Sequence, residues 1–168
     1  TYNIYWSPQE RYFAAQTSEE ALSPKFFVYL IDTKKNQIKK IPNQNGKQFV
    51  VEWSPDGNKI LLESIEDNNF IVYHVSENKT EGVELDQRKK GDFVIIPGWI
   101  DKNNLIIIKI SGDKNYAYRY NIQNHEVTPL SLPEEAKEAP IDRAFFSLSK
   151  NLVFILRDKS KIGILSFK

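Results

Sequence analysis

The stretch Trp53-Ser54-Pro55-Asp56-Gly57-Asn58-Lys59-Ile60 sets a tight turn between two apolar runs, Phe49-Val50-Val51 and Ile60-Leu61-Leu62. Proline presets φ at the second position of a β-turn, and glycine accepts positive φ near its end with no Cβ to clash. The flanking runs are short and rich in Val, Leu and Ile, so the turn reads as a β-hairpin connection and not as a helix start. Gly57 is therefore expected to tolerate a side chain worse than Asn58 does.

The same segment recurs along the chain. Trp6 opens WSPQERYFAA, Trp99 opens WIDKNNLIII and Phe146 opens FSLSKNLVFI; successive intervals are 47, 46 and 47 residues. A second set of anchors, Tyr29, Tyr73 and Tyr118, stands 12 residues ahead of Ile41, Leu85 and Leu130. Two anchor sets in step define an internal repeat of about 46 residues. Its second copy holds four strand-like runs, QFVVEW, KILLES, FIVYHV and TEGVEL, separated by Gly, Pro, Asn and Asp.

A four-stranded repeat of this size is that of a β-propeller blade. One twisted sheet cannot bury both faces alone, and stacking copies buries them in series. The expected fold is all-β: a propeller or propeller segment of four four-stranded blade units, the last incomplete. The whole chain, 1–168, reads as a single propeller domain, with units at approximately 1–46, 47–91, 92–140 and 141–168. Trp6, Trp53, Trp99 and Phe146, ending the innermost strands, are expected to fill the wedges between blades, with Gly57 anchoring the turn.

The string Trp53-Ser54-Pro55-Asp56-Gly57-Asn58-Lys59-Ile60, echoed by Trp6-Ser7-Pro8, resembles the repeat of TolB-like propellers. It is also similar to the propeller domains of prolyl-oligopeptidase and dipeptidyl-peptidase enzymes. WD-repeat propellers share the blade but end the third strand in Trp-Asp, where this chain has Ile31-Asp32, Val75-Ser76 and Tyr120-Asn121. The TolB-like resemblance implies an extracytoplasmic bacterial setting: periplasmic, cell-surface or secreted. A cytoplasmic origin fits the composition nearly as well.

The fourth unit stops short of a fourth strand, and the first begins directly in one. Three readings stay open: part of a larger propeller, a four-bladed ring whose last blade has three strands, or an open arc that self-associates through the incomplete blade. Thr1 in a chain without Met is expected to mark a trimmed start.

Composition narrows function by exclusion. Lys+Arg number 23 against 22 Asp+Glu, a formal charge of +1, which argues against a general nucleic-acid binder. No apolar run approaches the roughly 18 residues that cross a bilayer, so no membrane insertion by this segment is expected. With no Cys there are no disulfides, thiolate metal sites or thiol nucleophiles. The chain lacks a G-x-S-x-G elbow, an H-E-x-x-H motif and phosphate-cradling glycine loops. His74 reads as a strand residue and His125 as a solvated turn residue, so no catalytic residue, metal site or cofactor is expected.

What remains is recognition. Loops on a rigid scaffold are where binding residues concentrate. The longer, more varied connections include Asn43–Lys47, Asp86–Gly91, Ser111–Lys114, Ser131–Ile141 and Arg157–Ser160. Their candidate binding residues are Lys47, Arg88, Lys89, Lys90, Asp113, Lys114 and Arg157. Leu132–Pro140 is the one insertion of helical composition, limited to two turns by its prolines. The expected function is a non-catalytic module that binds a protein or extended polymer through one loop face. The alternative is a propeller domain of a multidomain enzyme or sensor that positions or gates substrate for a separate catalytic unit.

Overall fold

The computed structural model describes residues 3–18, 25–42, 44–64, 69–84, 91–138, 141–146, 151–156 and 161–166. The chain divides into two compact halves, Thr1–Glu84 and Leu85–Lys168.

The first half holds two antiparallel sheets whose strands pair in chain order. One comprises β1 (Asn3–Trp6), β2 (Tyr12–Ser18), β3 (Phe26–Asp32) and β4 (Gln37–Lys40). The other comprises β5 (Gln48–Trp53), β6 (Lys59–Ser64), β7 (Asn69–His74) and β8 (Lys79–Val83). Strand alternation sorts the side chains. Tyr5, Ala14, Leu30 and Lys39 share one face of the first sheet; Trp6, Phe13, Ile31 and Ile38 share the other. In the second sheet, Trp53, Ile60 and Tyr73 stand in register. They close with Ala14, Val28, Leu30, Ile41, Val50 and Leu62 into one buried cluster. Trp53 is 6% exposed, and its Nε1–H donates to the Tyr5 carbonyl at 2.8 Å.

Trp6 corrects the expectation made for it. It holds the same register position as Trp53 yet is 57% exposed, tilted against Phe13 with ring centroids 5.0 Å apart. Its face of the first sheet is the one turned from the second sheet, and Ile4 and Ile38 on that face are exposed as well. The two indoles share a position in the repeat, but among the described residues only Trp53 has a second sheet packed over it.

The two Trp-Ser-Pro turns are built alike. In each, the serine N–H donates to a carbonyl five residues on, and the serine Oγ accepts that residue's N–H: Ser54 with Lys59 (2.9 and 2.9 Å), Ser7 with Tyr12 (2.9 and 3.1 Å). The fourth residue donates back to the serine carbonyl, Gly57 at 2.8 Å and Glu10 at 2.9 Å. Gly57 has φ 63° as expected, and Glu10 takes φ 56° with a side chain in place. The first turn has thus kept the geometry without the favourable residue.

Two carboxylates tie turns of this half together, Asp56 within the Trp53 turn and Asp32 at the β3–β4 turn. Burial alone raises Asp56, but hydrogen bonds from Ser54 and Asn58 and the charge of Lys59 outweigh it and hold the group below the ordinary 3.8. At Asp32, burial likewise works upward, while Arg11 at 3.1 Å and the N–H groups of Lys35 and Lys34 bring the group below that value. A depressed folded-state value means the contribution is complete above the unfolded aspartate value, about 3.9, and is lost as pH falls through the lower folded value. Urea midpoints measured from pH 6 to 2 are expected to fall on the acid side. Asp56→Asn and Asp32→Asn flatten that limb and leave the slope above pH 5 unchanged.

The second half contains β9 (Phe93–Trp99), β10 (Asn104–Ser111), β11 (Lys114–Asn121) and β12 (Val127–Leu130) in one antiparallel sheet. A single helical turn, α1 (Glu134–Lys137), follows. Then come β13 (Ile141–Phe146), β14 (Asn151–Leu156) and β15 (Lys161–Ser166), paired as a three-stranded sheet. Ile106, Ile108, Ala117, Leu132, Ala136 and Ile141 form its buried cluster. Trp99 is buried and ends β9; Phe146 ends β13, and its side chain lies outside the described residues. No helix among the described residues is long and apolar enough to cross a membrane.

Strand pairing also shifts the second anchor set. Trp6, Trp53 and Trp99 align through the second strand with Ile31, Tyr73 and Tyr120. Tyr29 and Tyr118 sit two residues away from that row. Tyr73 and Tyr120 are both buried, and each bonds a residue five positions on: Tyr73 hydroxyl to Asn78 Oδ1 at 3.0 Å, Tyr120 hydroxyl to His125 Nδ1 at 2.8 Å. Asn36, Asn78 and His125 hold positive φ (51°, 52° and 58°), the left-handed conformation in which Asn and His are enriched. His125 is exposed, yet its ring ties the hairpin to the core through Tyr120.

Candidate functional site

β11 runs Lys114–Asn121, but β12 pairs only with Ala117–Tyr120. Lys114, Asn115 and Tyr116 therefore extend past the last β11–β12 pair, Ala117 with Leu130. Beyond Leu130 the chain turns away through Ser131, Leu132 and Pro133 into α1. Ala136 of that turn is buried, and its carbonyl accepts from Asn115 Nδ2 at 2.7 Å. The detour leaves a cavity of about 610 Å³. Its lining takes consecutive residues of β11 from both sheet faces, Lys114 to Tyr118, so it opens on the strand edge beyond β12.

The walls combine apolar and cationic groups. Val127, Pro129, Leu130 and Leu132 supply the apolar part, with the Tyr116 and Tyr118 rings beside them. Lys109 enters from β10 with its side chain 11% exposed, Nζ 3.9 Å from the buried Asp92 carboxylate and 5.2 Å from the Tyr116 ring centroid. Lys137 is paired with Glu134. Burial pushes the Tyr118 hydroxyl above its usual range, with Tyr116 and Asp92 adding to it. That leaves a neutral phenol in the wall. Cavities of this size, mostly apolar with a few placed polar groups, are the usual form of ligand sites.

Of the residues proposed from sequence, Lys114 lines this cavity and Asp113 stands exposed beside it at the β10–β11 hairpin tip. There Gly112 takes φ 58°, as the first central position of such a two-residue turn requires. Lys47 belongs to the first half, where it pairs with Phe26 in an isolated parallel bridge. Arg88, Lys89, Lys90 and Arg157 lie outside the described residues. Lys109, Tyr116 and Tyr118 went unnoticed as site residues. The signal for Lys109 was a lysine inside the apolar run Leu105–Ile110, where an unaccompanied charge needs a partner. His74 contacts Glu81 through Nε2 at 3.0 Å. Among the described residues no cluster of three His, Asp or Glu side chains is arranged to hold a metal ion.

No family model matches the chain, and no curated protein does. Solved structures do match. TolB from Acinetobacter baumannii superposes with a TM-score of 0.62 at 16% identity, covering 98% of this chain and 43% of TolB. Dipeptidyl peptidase 4 from Porphyromonas gingivalis gives 0.64 at 15%, covering 96% and 32%. An auxiliary nutrient binding protein from Bacteroides thetaiotaomicron gives 0.54 at 13%, covering 97% and 44%. At these identities the likeness is one of fold: all-β, a TolB-like propeller segment built of blades. The chain spans less than half the length of each of these neighbours.

Proposed function

We propose that the chain is a non-catalytic recognition module of an extracytoplasmic protein, binding a protein or extended polymer through its β10–β11 and β12–β13 connections. The observation that supports this reading most is the cavity beside β11, because Lys114 lines it together with Ser131, Leu132, Lys137 and Glu138. These belong to two of the connections expected to carry binding residues. Two of the three similar structures, TolB and the nutrient binding protein, carry no enzyme name, which agrees with recognition. The peptidase neighbour favours a second reading, in which the module positions or gates substrate for a separate catalytic domain.

The test titrates the isotopically labelled chain with a random-sequence peptide library and a set of oligosaccharides, following amide shifts and hydrolysis together. Shifts confined to Ser111–Tyr118 and Ser131–Glu138, without turnover, are the expected result. Hydrolysis that His74→Ala or His125→Ala abolishes would overturn the non-catalytic reading. Shifts that avoid both connections would overturn the binding face.

A further inference from the structure

The cavity beside β11 also carries the chemistry of its ligand, an inference resting on the recognition reading above. Among the described residues its lining holds three lysines, Lys109, Lys114 and Lys137, against one carboxylate, Glu138. Two of these cations are engaged: Lys109 faces Asp92, and Lys137 pairs with Glu134. Lys114, exposed at the rim, has no ion-pair partner among the described residues. Beside it the wall is apolar and aromatic: Tyr116 is 41% exposed, and Val127 is exposed too. Large apolar groups left open at a concave, cation-bearing site favour an occupant with a negative group and an apolar body. An uncommitted lysine supplies the matching charge without the cost of first breaking a pair.

We propose that this cavity binds an acidic peptide segment in which a carboxylate side chain meets Lys114 and a neighbouring apolar side chain enters between Tyr116, Val127 and Pro129, which share one sheet face. A folded sugar polymer is a poorer fit, since the wall offers leucine, valine and proline where hydroxyl groups would need hydrogen-bond partners. A purely apolar ligand would leave the lysines without a role in selection. Glu138 opposes the charge of the ligand, so its neutralisation tightens binding.

The experiment compares three capped hexapeptides that differ only at two central positions, Leu-Phe-X-X-Leu-Phe with X as Glu, Gln or Lys, by calorimetry and amide shift mapping on the intact chain. The Glu peptide is expected to bind at least tenfold more tightly than the Lys peptide, with shifts at Lys114–Tyr118. Lys114→Glu reverses that order, Val127→Glu weakens the Glu peptide, and Glu138→Gln strengthens it. Lys114 and Val127 are exposed, and an unchanged thermal midpoint verifies that both variants fold. Equal affinity for all three peptides, indifference to Lys114→Glu, or no binding of the Glu peptide overturns the ligand class. The recognition reading fails separately, when no peptide or oligosaccharide perturbs either connection.

Discussion

Replacing Trp53 by alanine is expected to lower stability by about 3–5 kcal/mol, and the same truncation at Trp6 by less than about 1 kcal/mol. The two indoles occupy one position of the repeat, so the difference isolates what a covering sheet contributes. Trp53 lies in the cluster between the sheets with Ala14, Val28 and Ile60, and its Nε1–H bonds the Tyr5 carbonyl. Truncation there removes the apolar burial, opens a cavity that rigid strands cannot collapse into, and leaves a carbonyl without its donor. Trp6 loses one tilted contact with Phe13 and little else. Paired urea curves of the two variants read the contrast. Similar losses at both positions would mean that Trp6 is covered in solution.

Gly57→Val follows in size, at about 2–3 kcal/mol, from two separate sources. The backbone sits at φ 63°, where a β-branched residue is strained. A Cβ placed there would also collide with the side-chain amide of Gln9. Gln9 can swing aside, but only by giving up its Nε2–H bond to the Asp56 carbonyl, which joins the two Trp-Ser-Pro turns. Asn58→Val removes one exposed side-chain bond to Asp56 and is expected to cost about 0.5–1 kcal/mol. Glu10→Gly should act in the opposite sense, raising stability by about 0.5 kcal/mol, since Glu10 holds the left-handed conformation that glycine adopts freely. Thermal midpoints of the three variants rank them; equal tolerance at Gly57 and Asn58 would contradict the turn geometry.

The blade pattern was legible because it depends on local chemistry. The Trp-Ser-Pro turn fixes where a hairpin closes, and two-residue alternation fixes which side chains share a face. What escaped the sequence depends on whether something lies opposite. Nothing in the residues around Trp6 differs enough from those around Trp53 to reveal that one face is covered and the other open. The tyrosine row was misplaced because spacing to the next apolar residue is set by hairpin length, whereas the buried row is set by pairing to the Trp strand, which selects Ile31, Tyr73 and Tyr120. His125 looked like a plain turn residue because its bond to Tyr120 spans a hairpin whose left-handed residue is usually Asn or Gly. The cavity was half visible. The helical composition of Leu132–Pro140 and the polar hairpin at Asp113 and Lys114 mark the two connections that border it. That β12 ends while β11 continues is a matter of register, which no single strand records.

The unequal surroundings of the indoles have an optical consequence. Of the three tryptophans in the chain, Trp53 and Trp99 are 6% and 4% exposed, while Trp6 is open to water. Steady-state fluorescence of the native chain is therefore a sum of two blue-shifted emitters and one red-shifted emitter, and dissolved iodide can quench only the latter. Any molecule that settles over the Ile4–Trp6–Ile38 face would move that emission toward the blue and shield it from the quencher, making the first strand a label-free reporter of its own occupancy.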